Sequence, residues 1–300
     1  MKLLLLGKTG QVGWELQRAL RPLGRLVSLG RADLDLCNLD AVRACIQAHA
    51  PDVLVNAAAY TAVDRAESDQ ETARRINAEA VETIAHAVQA AGGVLVHYST
   101  DYVFDGAKSA PYTEDDDIAP RSVYGESKAR GEQAIRASGV RHLILRTGWV
   151  YGRHGTNFAK SILRHARERD RMRVVADQFG APTPAELVAD VTALVLHLLK
   201  REPAAVSLLG TYHLSAAGRT SWHGYARELL RLGHARGMAL RARPESVEAI
   251  ASAAYGSPAT RPANSVLDCS RLQRAFDVRL PDWTEPLNRF VDEMAESECV

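Results

Sequence analysis

The opening segment constrains this chain most. Lys2–Leu6 is a short apolar run, and Gly7-Lys8-Thr9-Gly10-Gln11-Val12-Gly13 follows it directly. A strand that runs into three spaced glycines and then into helical periodicity is a tight βα turn. Glycine lets the backbone turn sharply and lets a pyrophosphate approach the N–H groups at the start of the helix. The spacing is GxxGxxG rather than GxGxxG, and alone it is a weak signal. No glycine lies five residues before Gly7, so Gly7-Lys8-Thr9 is not the end of a Walker loop.

The remainder of the first half repeats the alternation. Val12, Leu16, Ala19, Leu20 and Leu23 keep a helical period, Arg25–Leu29 and Asp52–Ala59 read as strands, and Asp69–Ala91 reads as a long helix ended by Gly92-Gly93. Val94–Ser99 is a fourth strand, Ser122–Ala137 a helix and Arg141–Val150 a fifth strand. Near-continuously apolar strands between helices predict a doubly wound α/β Rossmann-like fold, its parallel sheet covered on both faces. Beyond residue 150 the pattern loosens. Asn157–Arg169, Pro184–Lys200 and Ser221–Leu232 read as helices and Thr211–Leu214 as a strand, and the stretch 241–283 has little periodicity. This predicts a nucleotide-binding domain over 1–150 and a smaller, mainly substrate-binding domain over 151–300, with 184–200 a candidate to return to the main sheet. The acidic run Glu114–Asp117 reads as a solvated loop.

Two further features add chemistry. Where strand two ends, a carboxylate usually binds the ribose 2′-hydroxyl of NAD. Here the sequence is Gly30-Arg31, and a guanidinium suits a 2′-phosphate, which favours NADPH and leaves NADH use open. Asp33 and Asp35 lie just beyond, and Asp35 is placed to reach the adenine side. Tyr124 and Lys128 stand at i and i+4, on one helix face. An ammonium beside a phenol lowers the phenol's pKa from its ordinary value near 10. Ser99-Thr100-Asp101 closes strand four, at the sheet edge where ligands of this fold sit. A glycine loop, a hydroxyl, a tyrosine and a lysine in this order form a joint signal for carbonyl reduction.

This constellation resembles the extended short-chain dehydrogenases/reductases. The strings that carry the likeness are GKTGQVG at 7–13, NAAAYTAVDRAE at 56–67, HYSTDYVFDG at 97–106, YGESK at 124–128, RTGWVYG at 146–152, DQFGAPT at 177–183, RPANSVLD at 261–268 and LPDW at 280–283. The resemblance implies NADPH-dependent reduction of the C4 ketone of dTDP-4-dehydro-6-deoxy-L-mannose, a step that supplies cell-surface polysaccharide. It makes Tyr124 the proton donor, Lys128 the ligand of the nicotinamide ribose and Thr100 their assistant. Gly7, Gly10, Gln11, Val12 and Gly13 then hold the pyrophosphate. Arg31, Asp35, Leu36, Ala59, Tyr60, Thr61 and Tyr98 line the cofactor site, and Thr100, Asp101 and Trp149 contact the sugar. It further implies a homodimer and a Mg²⁺ ion held by Glu15, Glu186 and Glu293, although surface carboxylates are the simpler reading of these three. Gly148 departs from the serine many relatives carry in RTSWVYG. Two alternatives stay open: a nucleotide-sugar epimerase or dehydratase, and a non-catalytic NADP-binding regulatory subunit.

Composition narrows the partners. Thirty-seven basic and 36 acidic residues leave a net charge of +1, which gives no electrostatic ground for nucleic acid or an anionic membrane. The apolar opening run is too short for a secretory signal, and no stretch approaches a membrane span. Cys37, Cys45, Cys269 and Cys299 form no CxxC and no zinc pattern, and they suit idle thiols in a reducing cytoplasm.

Overall fold

The computed structural model describes residues 1–296. Its centre is a six-stranded sheet. Strands β1 (Lys2–Leu6), β2 (Arg25–Leu29), β3 (Val53–Asn56), β4 (Val94–Thr100) and β5 (Arg141–Thr147) lie in the order β5-β4-β3-β1-β2, and the strand Gly210–His213 adds to the outer side of β5. Every pairing in the sheet is parallel.

The sheet is buried on both faces because its strands alternate between two apolar layers. Leu3 and Leu5 of β1 join Val53, Val55, Val96, Leu143 and Leu145 on one face, over Leu16 and Leu20. Leu4 and Leu6 join Leu54, Leu95 and Ile144 on the other, over Val42, Ile46, Ile84 and Val88. Burying such a side chain stabilises by about 1.5–3 kcal/mol each, and the leucine run forms an interior strand of the sheet, between β2 and β3. The helix Ala185–Arg201 sends Val188, Ala189 and Val195 into the first layer beside α1 (Gln11–Leu20). After 184 the chain lays this helix beside α1 and then adds Gly210–His213 to β5. A separate core gathers Tyr151, Leu163, Tyr225, Leu229, Leu287 and Phe290.

Boundaries follow local chemistry. Ser122 caps the helix Val123–Ser138 by accepting from the Gly125 N–H, and Gly139 ends it in the left-handed region. Asn157 and Ser221 cap the helices Phe158–Glu168 and Trp222–Ala235 in the same way. Two expected strands stop early. β3 ends at Asn56 because the chain turns under Gly7, and β5 ends at Thr147, before Gly148 and a Trp149 with φ 51°. The two longest helices that went unread in the sequence are α2 (Leu39–His49) and Thr284–Glu296. The helix over 70–90 holds one wider turn at 75–79, and the Asn77 side chain there binds the backbone of Tyr60 and the Ser127 hydroxyl.

The acidic run is not a solvated loop throughout. Glu114 is nearly buried and accepts from the His213 N–H, and Asp116 pairs with Lys108 at 2.6 Å. Cys37 and Cys45 are half-buried and Cys269 is buried, all as free thiols, while Cys299 lies outside the described residues. Among the described residues no helix is long and apolar enough to cross a membrane.

Candidate active site

The strand order reverses between β1 and β3, and a crevice opens at their carboxyl ends. It is a cleft of about 800 Å³. Gly7 turns the chain at its floor with φ 88°, and a Cβ there would lie 2.6 Å from the Ala58 nitrogen. Gly10 opens α1 without a side-chain cap, and no acidic residue sits in the helix's first turn. The first N–H groups of α1 are thus offered to an anion. Gln11 and Val12 line the cleft with Gly7 and Gly10. Gly13 does not. A Cβ on Gly13 would overlap the Gly7 carbonyl, so this glycine serves the close packing of loop on helix.

At one end of the cleft lie Arg31, Asp35 and Leu36, and Ala59, Tyr60 and Thr61 form a side wall. Asp33 is turned away to Lys8 at 2.6 Å and to the Gly30 N–H at 2.8 Å. Arg31, not Asp33, is therefore the charged side chain of this turn that lines the cleft beside Asp35.

At the other end stand Tyr98, Thr100, Asp101, Tyr124, Lys128 and Trp149. The Thr100 hydroxyl donates to Asp101 Oδ1 at 3.0 Å and accepts from the Tyr102 N–H at 3.1 Å, and it stands near enough to the Tyr124 phenol to lower that group's pKa. Asp101 is 2% exposed, and burial pushes its carboxyl up to about 6 against hydrogen bonds from Ser265 and Thr100 that lower it. A Cβ at 148 would overlap this carboxylate, which accounts for the glycine in RTGWVYG. Thr147 Oγ1 is buried without a hydrogen-bond partner in the protein, and Thr147 lines the cleft. Such an orphaned group awaits a ligand's polar atom.

Tyr124 corrects one expectation. Burial pushes its phenol up to about 12, the Thr100 hydrogen bond opposes this, and Asp101 adds to it. Lys128 lowers nothing here, because its ammonium end is turned inward. Its Nζ lies 2.6 Å from the Tyr98 carbonyl and 3.1 Å from His97 Nε2, both buried. Glu132, one turn further along the helix, is fully buried in a two-point pair with Arg146 at 2.8–2.9 Å. The arginine of RTGWVYG is thus spent on the scaffold.

Trp149 is held in its unusual conformation from both faces. Its ring stacks on Trp222 with centroids 3.4 Å apart and planes 3° apart, and a Cβ on Gly180 would run into its indole. Trp222 also lines the cleft, together with Tyr102, Thr147 and Asn56. The strings at 56–67, 97–106 and 146–152 contain Asn56, Tyr102 and Thr147 without singling them out, and no string covers Trp222, whose place depends on a helix from the second core.

The three glutamates do not form a metal centre. Glu15 lies 3.5 Å from Arg18, Glu293 lies 3.0 Å from Arg289, and Glu186 lies 4.0 Å from the same Arg289. Arg289 stands between Glu186 and Glu293, and Glu186 is near enough to Glu15 and Glu293 for both to raise its carboxyl. Among the described residues no group of His, Cys, Asp and Glu side chains is arranged to ligate a metal.

The model of the RmlD substrate binding domain family matches residues 1–296. A dTDP-4-dehydrorhamnose reductase from Burkholderia thailandensis is 48% identical, the alignment covering 94% of this chain and 95% of that protein. One from Shigella flexneri is 46% identical over 100% of both chains. The crystal structure of dTDP-4-dehydrorhamnose reductase from Bacillus anthracis in complex with NADP superimposes with a TM-score of 0.86 at 33% identity, covering 98% of this chain and 100% of that one. With likeness of this extent in sequence and in fold, the chain belongs to the dTDP-4-dehydrorhamnose reductase family, that of the RmlD substrate binding domain.

Proposed function

We propose that this chain binds NADPH in the cleft and reduces the C4 ketone of dTDP-4-dehydro-6-deoxy-L-mannose, giving dTDP-L-rhamnose. The observation that carries this reading is one cleft with two ends: an uncapped helix N-terminus under a glycine turn, and Thr100, Tyr124 and Lys128 together. The named activity of the relatives, and the NADP in the Bacillus anthracis structure, support it.

The glycine loop fits a dinucleotide, because any side chain at Gly7 would fill the place where the backbone must approach closely. When bound, the cofactor supplies the hydride. The N–H groups at Gly10, Gln11 and Val12 hold the pyrophosphate. Arg31 meets the 2′-phosphate, and Asp35, Leu36, Ala59, Tyr60, Thr61 and Tyr98 enclose the remainder. Lys128 offers an N–H to the nicotinamide ribose. Tyr124 gives its proton to the oxygen forming at C4. A phenol raised to about 12 keeps that proton throughout neutral pH, the form a donor requires. Thr100 orients the same oxygen, while Asp101 and Trp149 hold the sugar.

The substrate-binding part is the second core and the loops that reach the cleft from it, with Trp222 among them. A cytoplasmic location and a homodimer belong to the same reading. A Mg²⁺ ion is not part of it; Glu15, Glu186 and Glu293 lie near one another, each with an arginine within 4.0 Å.

NADPH oxidation across a panel of nucleotide-linked keto sugars tests this. The dTDP-linked 4-keto-6-deoxy-L-mannose is expected to be turned over fastest. Protein that purifies with tightly held NAD and interconverts sugars without net NADPH oxidation would move the assignment to an epimerase.

A further inference from the structure

We infer that His97 is a positioning residue that holds Lys128 as a neutral amine in the cofactor-free site, through a ring tautomer fixed by Asn56. The argument is one of hydrogen-bond polarity. The Ala58 N–H can only donate, and it lies 3.2 Å from Asn56 Oδ1. That sets the direction of the Asn56 amide, whose Nδ2 then donates to His97 Nδ1 at 3.2 Å. Nδ1 is therefore the acceptor, and a neutral ring carries its hydrogen on Nε2.

His97 Nε2 faces Lys128 Nζ at 3.1 Å. An N–H needs a lone pair opposite it, and an ammonium has none. A neutral amine satisfies every contact. It donates one hydrogen to the Tyr98 carbonyl at 2.6 Å, accepts from His97, and keeps one hydrogen for the cleft that Lys128 lines. The opposite tautomer would set the Asn56 amide hydrogens against the Ala58 N–H. Water offers no escape, since His97 is 0% and Lys128 1% exposed.

Burial acts in the same direction. It holds His97 well below its ordinary range and brings Lys128 down to about 8, with Glu132 opposing the latter. The titratable and charged groups that meet this part of the helix are Tyr124 and Glu132 on the helix itself, His97 and Tyr98 of β4, Arg146 of β5, and Asp101 and Tyr102 of the turn after β4. Glu132 is already paired with Arg146 and Arg136. Above about pH 8 the cofactor-free site thus has no cation beside Tyr124, whose high pKa owes nothing to Lys128.

The test is nitrogen NMR of the full chain, cofactor-free, with isotope-labelled histidine and lysine. The His97 and Lys128 signals are assigned by their loss in His97→Gln and Lys128→Met. The expected result is the Nε2–H tautomer at His97 and a Lys128 amine that loses its proton at lower pH than the remaining lysines. In Asn56→Asp the carboxylate accepts from both Ala58 N–H and Nδ1–H, which inverts the ring. Lys128 is then held as an ammonium, and its acid dissociation constant should fall by about tenfold or more. An Nδ1–H tautomer in the unaltered protein, or a Lys128 that titrates with the other lysines, overturns the inference, and neither reading depends on Asn56→Asp folding. The inference deepens the role given to Lys128 above. A wrong substrate assignment would show in turnover and leave the tautomer as it is, so the two failures are distinguishable.

Discussion

The two ends of the cleft are built from different materials. At the glycine end the contacts are backbone: the N–H groups of α1, the turn at Gly7 and the packing of Gly13 beneath it. Of the nearby charged side chains Arg31 and Asp33 are exposed and Lys8 is half-buried. At the keto-sugar end the contacts are side chains, and Thr100, Asp101, Lys128 and His97 are all nearly or wholly buried. A site made of amides tolerates a change of side-chain chemistry but not of volume. A site made of buried polar side chains is the reverse, because each group was desolvated at a cost and is replaced only at a cost.

Tyr124→Phe tests the second half of that comparison most sharply. It keeps the ring and removes the proton, and general acid catalysis is worth about 10²–10⁴-fold. We expect kcat to fall by that much while NADPH affinity, measured by fluorescence titration, stays within a few-fold. A variant close to the unaltered protein in kcat would remove Tyr124 as the acid.

Asp101→Asn probes the cost of desolvation. The folded pKa of about 6 lies above the ordinary 3.8, so the folded protein binds more protons than the unfolded chain between those values. Stability therefore falls as pH rises through that window, and the penalty stays in place above it. Asparagine carries no charge to bury. The variant should be more stable than the unaltered protein at pH 7, by up to roughly 3 kcal/mol, and the gain should vanish below pH 4. Urea unfolding from pH 4 to 8 reads this, and a difference independent of pH would mean that the carboxyl is not held up by burial.

Arg31→Ala asks whether the glycine end owes anything to a side chain. A charge-assisted contact is worth about 1.5–3 kcal/mol, so NADPH affinity should drop roughly 10- to 150-fold and NADH affinity hardly change. An equal loss for both cofactors would leave the backbone as the whole of that end.

The same contrast explains what was legible in the sequence. The alternation of Leu3 to Leu6, the glycine spacing and the Tyr124/Lys128 pair are local patterns, and each sits where local patterning puts it. Sequence reading could not see what long-range packing decides. It gave the Lys128 ammonium to Tyr124, whereas the fold brings His97 and the Tyr98 carbonyl of β4 to that atom. It missed α2, although Asn38 caps it and Val42 and Ile46 share one face. Trp222 could not have been found, since nothing near it in sequence announces the partner 73 positions earlier.

That pair of indoles has a consequence of an optical kind. Rings stacked 3.4 Å apart and nearly parallel couple their electronic transitions, and the coupling decays steeply with separation and tilt. Trp149 follows the end of β5, while Trp222 begins a helix of the second core. The chain therefore carries its own exciton ruler between sheet and second core, and circular dichroism in the aromatic region can follow their relative displacement during binding without any attached label.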